Sequence, residues 1–225
     1  MHIEPGIVDS SKIVLSYATA GASGLFALKL AADEIRRGGV LSLAVRSVVT
    51  TALVFCFFEV LPHYPVGVSE VHLILGSTLF LLFGMAPAAI GLALGLLTQG
   101  MFFAPYDLPQ YGMNVTTLLV PLFALRAVAV QAIAPGIRYV DLTYRQALTL
   151  SVAYQAGIVT WVAFWALYGH GMGADNLASI GTFGLAYMAV ITIEPLADLV
   201  VLAVAKSSAN VTRSRFFEPR LLGQG

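Results

Sequence analysis

The sequence predicts an all-α integral membrane protein: a bundle of about seven transmembrane helices in a single domain over residues 1–206, with a polar cytoplasmic tail over 207–225. Three observations carry this prediction. Of the 225 residues, 58% are hydrophobic and only 11% charged, against about 25% charged in a soluble domain. Mean hydropathy is +0.85, and the 21 glycines suit membrane helices, which carry more glycine than soluble ones. Apolar stretches also recur at the length a bilayer demands. At ~1.5 Å of rise per residue, a hydrocarbon core of ~30 Å takes roughly 20 apolar residues.

Seven stretches meet that requirement, at 13–32, 41–61, 71–85, 87–104, 113–134, 146–168 and 179–205. The third is short. Only Gly84 and Pro87 separate it from the fourth, so the two read either as separate spans or as one long interrupted hairpin. Basic residues orient the bundle, because Lys and Arg near span ends accumulate on the cytoplasmic side. With seven crossings, Lys29, Arg36, Arg37, Arg46, Arg138, Arg145, Lys206, Arg213, Arg215 and Arg220 fall on one side, and the other side holds only Lys12. The N-terminus is therefore expected outside and the C-terminus in the cytoplasm, in a multi-pass protein of the inner (plasma) membrane. Glu4, Pro5 and Asp9 replace the basic start and apolar run of a signal peptide. The mature chain is expected to begin at Met1, because a residue 2 as large as His2 protects the initiator from removal.

The same composition excludes other classes. Lys+Arg equals Asp+Glu at 12 each, so there is no basic face for nucleic acid. The single Cys56 rules out an internal disulfide and reads as a small apolar residue. No Walker motif G-x-x-x-x-G-K-[ST] and no H-E-x-x-H occurs, so the chain has neither its own ATP site nor a paired intramembrane catalytic motif. The Gly-rich run Tyr168-Gly169-His170-Gly171-Met172-Gly173 lacks the strand and lysine that phosphate binding needs. Asn114-Val115-Thr116 and Asn210-Val211-Thr212 are chance sequons.

Four histidines, His2, His63, His72 and His170, all fall on or near the outer side. A free α-amine, the amide nitrogen of residue 2 and Nδ1 of its imidazole form consecutive five- and six-membered chelate rings. Those three nitrogens lie in a plane. A fourth, for which His72 at the mouth of the third span is the candidate, completes a square-planar N4 set diagnostic of Ni(II) or Cu(II) and accessible to low-spin Co(II). The competing reading of His2 is an ordinary surface histidine. His63, after Pro62, reads as a transient capture residue or an interfacial histidine, and His170 with Met172 as a delivery pair or plain loop residues.

The opening Met1-His2-Ile3-Glu4-Pro5-Gly6 resembles the M-H-I-x-x-G start of the substrate-binding membrane subunits of cobalt and nickel energy-coupling factor transporters. Pro65-Val66-Gly67-Val68-Ser69-Glu70-Val71-His72-Leu73 is similar to that family's proline, glycine, serine, histidine segment. Gln99, Phe102-Phe103 and Gly112-Met113-Asn114 resemble its next block. The chain departs from the pattern where Glu70 replaces a glycine in a segment one residue longer, and where Thr117 stands for a second asparagine. The resemblance implies that Met1, His2 and His72 bind Ni2+ or Co2+ as transported substrate, with no resident cofactor. It also implies partners: a transmembrane coupling protein, cytoplasmic ATPase subunits and a small accessory membrane subunit. Glu70 is placed either to orient an imidazole N–H or as a solvated loop residue.

Arg46, Arg126, Glu194 and Asp198 are costly in hydrocarbon and are expected to face the interior. Arg126 with Glu194, and Arg46 with Asp198, lie at matching depth and form two candidate ion pairs; a proton relay is the alternative role. Small residues at Ala18/Ala22, Ala27/Ala31 and Gly91/Gly95 allow close helix packing, and the resemblance makes the first span the docking face for the coupling protein. The resulting functional expectation is a membrane subunit that captures Ni2+ or Co2+ for an ATP-driven importer, not an enzyme. The alternatives are an autonomous ion-coupled carrier and a membrane assembly factor without substrate.

Overall fold

A computed structural model describes residues 3, 6–9, 11–208 and 216–223. The chain builds α1 (Val14–Gly38), α2 (Val40–Glu59), a hairpin of β1 (Tyr64–Val66) and β2 (Ser69–Val71), α3 (Gly76–Phe83), α4 (Met85–Phe102), α5 (Tyr111–Ala132), α6 (Tyr144–His170), α7 (Ala174–Met188) and α8 (Glu194–Ser207). Six helical segments are long and apolar enough to cross a bilayer, with α7 and α8 together forming one of them. This is the expected all-α membrane fold.

The third crossing takes a different form from the expected helix over 71–85. Its helix, α3, has eight residues and is only ~12 Å long. The rest of the passage is the antiparallel hairpin, with Tyr64 opposite Val71 and Val66 opposite Ser69, and an irregular stretch over 72–75. Direction follows from packing. Gly91 of α4 sits on Thr50 of α2, and Gly95 on Val54, so α2 and α4 run parallel and residues 60–84 must return across the bundle between them. Non-helical backbone survives at membrane depth only where protein covers it. Every residue of α3 is buried, under α2, α4, α5, α6 and α8.

The parallel α2–α4 contact is where one small-residue pair acts. Thr50 Oγ1 donates to the Pro87 carbonyl at 2.7 Å. A Cβ on Gly91 would fall inside Thr50, and one on Gly95 would come within 2.6 Å of Val54 Cγ1. The last expected span, 179–205, is broken. A 3-10 turn at Ala189–Thr192 precedes α8, whose first turn contains Pro195. Proline lacks an N–H and crowds the preceding turn, so a helix cannot run through it unbroken.

The intramembrane charges do not pair as expected. Arg46 reaches Glu34 of α1, donates to the Phe83 carbonyl at 2.9 Å and lies 3.9 Å from Glu218. One guanidinium thus ties α1, α2, the end of α3 and the tail. Arg126 is exposed at a cleft of about 270 Å³ shared with Asp33, Arg37, Tyr139 and Arg220. Glu194 accepts from Ser151 and Gln155, and Asp198 from Ser77 and Thr78. Helix-end counting matched the depths of these charges but had no information on which way each one faces.

The tail carries a docked segment. Glu218 N–H donates to the Leu82 carbonyl at 2.8 Å, and Leu221 is buried. Arg220 donates to the Ala134 and Ile137 carbonyls beyond α5 and stands over the Tyr139 ring. Burial is the main cause that pushes the Glu218 carboxyl up. Asp141 sits between Arg138 and Lys206, each at 2.6 Å, and the bond from Arg138 is the main cause holding its carboxyl below the usual range.

Gly91→Val should force α2 and α4 apart and destabilise the protein by about 1–3 kcal/mol, the ordinary cost of overpacking. Gly24→Ala, where nothing stands within 4 Å, should be neutral or stabilising. Thermal unfolding of the two variants in detergent checks the contrast.

Candidate functional site

Residues at one end of the bundle hold the N-terminal segment against the hairpin. Ile3 forms an antiparallel bridge with Ser69, and its N–H donates to Asn114 Oδ1 at 2.9 Å in a buried bond. Ile3, Val8, Met113 and Trp165 then close over one another as a small core. An apolar side chain anchors the segment, and a satisfied amide fixes its register. Gly169 is required beneath it, since a Cβ there would strike the Ile7 carbonyl.

The same hairpin delivers His72. Gly67 makes the turn at φ +63°, a conformation glycine adopts without strain, while packed on the Ser179 carbonyl. Three residues beyond the Ile3–Ser69 bridge, His72 is buried. Its Nε2 lies 2.9 Å from Glu70 Oε2. Phe58 meets the ring edge-on at 5.1 Å, and His63 stacks on it at 4.9 Å with 12° between planes. Glu70 is thus the imidazole partner rather than a solvated loop residue. A carboxylate only accepts, so in the neutral ring Nε2 carries the proton and Nδ1 presents the lone pair.

The predicted residues divide accordingly. His72, His63 and Glu70 come together. His170 goes elsewhere, since its Nε2 donates to the Gly6 carbonyl at 3.1 Å and fastens the N-terminal segment, while Met172 projects outward, 79% exposed. Met1 and His2 lie outside the described residues. Among the described residues, no three His, Cys, Asp or Glu side chains cluster closely enough to hold a metal ion. Two contributors escaped sequence reasoning. Asn114 was marked only by its glycine-x-asparagine spacing. Lys12, which counted only as a charge, donates to the Tyr168 and Gly169 carbonyls at 2.9 and 3.3 Å, where a cation satisfies the last carbonyls of α6. Its partners are 156 and 157 residues away.

Residues 2–211 match the model of the cobalt uptake substrate-specific transmembrane region, CbiM. Two crystal structures share the fold. One, of a truncated transition metal transporter, superposes with a TM-score of 0.67 at 18% identity, covering 92% of this chain and 99% of that one. The other, of a transition metal transporter, gives the same score and identity over 92% of this chain and 93% of that one. No curated protein matches the chain.

Asn114→Leu removes the acceptor of the Ile3 amide and leaves a buried donor unsatisfied, at a cost of about 1–3 kcal/mol. Hydrogen exchange at Ile3 should accelerate by about one to two orders of magnitude while exchange in α2 and α4 stays unchanged. Peptide-resolved exchange measures both.

Proposed function

The chain belongs to the cobalt uptake substrate-specific transmembrane family, and from that premise we propose that it captures Co2+ or Ni2+ through the N-terminal amine, His2 and His72. It is a multi-pass membrane component of transition-metal uptake. In the proposed role it has its N-terminus outside and works with a coupling membrane protein and cytoplasmic ATPases.

One observation supports this reading above the others: Ile3 is pinned to Ser69 and Asn114, three residues from a buried His72. The chain spans at most ~3.6 Å per residue, so two residues before Ile3 have a reach of about 7 Å. An amine, an amide and an imidazole from two consecutive residues make a rigid planar chelate, and His72 Nδ1 is the fourth donor. Glu70, by holding Nε2–H, keeps the ring in the tautomer that ligates and raises its basicity. Phe58 packs edge-on against the His72 ring, and Ile3 is buried beside Met113 and Trp165. Four nitrogen donors in a plane favour Co2+ or Ni2+ over hard cations such as Mg2+.

The amine is the sharpest test. An N-terminal tag, which carries the free amine away from His2, removes the five-membered ring and should abolish high-affinity Co2+ and Ni2+ binding in calorimetric titration, with the fold retained by circular dichroism. Unchanged affinity would dismiss the chelate.

His72→Ala leaves three nitrogens open to water and should weaken binding more than tenfold, above about 1.4 kcal/mol. His170→Ala, whose partner is the Gly6 carbonyl, should weaken it much less, as should His63→Ala. A titration in which His63→Ala is the damaging change would move the fourth ligand.

A further inference from the structure

The geometry points to a second, all-oxygen cation site inside the bundle, formed by Glu194 and Asp198 and taking a hard cation, a proton or a sodium ion. The two carboxylates lie four residues apart on one face of α8, and both are fully buried. Ser77 and Thr78 of α3 donate to Asp198, Ser77 at 2.9 Å. Ser151 and Gln155 of α6 donate to Glu194, each at 2.5 Å. Counted along α6 from Tyr144, these partners sit ~10–16 Å into the bundle.

Neither carboxylate forms an ion pair among the described residues. Arg46, the buried cation, is committed to Glu34 and Glu218, and Arg126 faces the cleft by the tail. The other titratable groups around the pair are the phenols of Tyr154 of α6 and Tyr187 of α7, and neither can supply a positive charge. Two uncompensated carboxylates in so dry a setting are among the costliest arrangements a protein can hold. A cation between them removes that cost.

The unused oxygens identify the cation. Both donors to Glu194 approach Oε2, while Oε1 has no hydrogen-bond partner, and neither do Gln155 Oε1 and the Tyr187 hydroxyl. All three belong to buried side chains. The hydroxyls of Ser77, Thr78 and Ser151 donate their protons to the carboxylates and keep lone pairs available. Carboxylate, amide and hydroxyl oxygens select hard cations, whereas Co2+ and Ni2+ prefer the imidazole and amine nitrogens proposed around His72. The occupant joins α3 to α8 and α6, so binding should appear as stability.

The test uses the detergent-purified full chain, the isosteric variants Glu194→Gln and Asp198→Asn, and two readouts. A proton shows as a buried carboxylic-acid carbonyl band in the infrared spectrum at neutral pH that either variant removes. Sodium shows as a rise in unfolding midpoint of about 3 °C or more when NaCl replaces choline chloride at equal ionic strength, lost in both variants. Ser77→Ala and Ser151→Ala, which keep both carboxylates, replace any variant that fails to fold and should weaken the response. Wild-type protein with neither band nor sodium response would overturn the site, and so would a response that all variants retain. Cobalt in place of sodium as the stabilising ion, surviving His72→Ala but lost in Glu194→Gln, would also overturn the assignment to a hard cation.

Discussion

Hydrocarbon offers no partner to a backbone N–H or C=O, and the third crossing is the part of this fold that meets that constraint least by itself. An eight-residue helix leaves its end groups without partners of its own, the hairpin pairs its strands with each other, and residues 72–75 are irregular. Such a passage persists only when protein surrounds it. The parallel approach of α2 and α4 over Gly91 and Gly95 closes one side of it, and α5, α6 and α8 close the other. Arg46 then meets the terminal carbonyl of Phe83, and the tail meets that of Leu82.

What an ordinary spanning helix could not supply, this crossing does. A hairpin at the bundle end exposes a strand edge, and Ile3 pairs with it at Ser69. Ile3 is thereby held on the hairpin three residues from His72, instead of trailing from the first helix. Lys12 and His170 hold the segment farther along, on the Tyr168, Gly169 and Gly6 carbonyls. In the first turn of α3, Ser77 and Thr78 face α8. One short element thus borders both the nitrogen-rich and the oxygen-rich regions.

Much of this was legible without coordinates. Apolar length and low charge predicted a membrane bundle with seven passages, since the thickness of hydrocarbon sets span length whatever the packing. The hairpin was legible as a proline and glycine loop before a short span, and Glu70 as a partner for an imidazole. The break before α8 was written in Pro195, but a uniform apolar run from 179 to 205 hid it. Depth matching paired Arg46 with Asp198 and Arg126 with Glu194 because distance along a helix is readable from sequence; the azimuth at which helices contact one another is not.

The sequence by itself determined what the chain could dissolve in, how many times it could cross, and which residue types stand at the ends of its spans. These properties are sums over neighbouring residues, or consequences of covalent order. Only the tertiary structure decided that Arg46 serves Glu34 and Glu218, that Glu194 and Asp198 face hydroxyls and an amide, and that Asn114 receives the amide of Ile3. Each joins residues far apart in the chain, 111 positions in the last case. Such partnerships are set by which helix faces pack together, and that depends on all the faces at once.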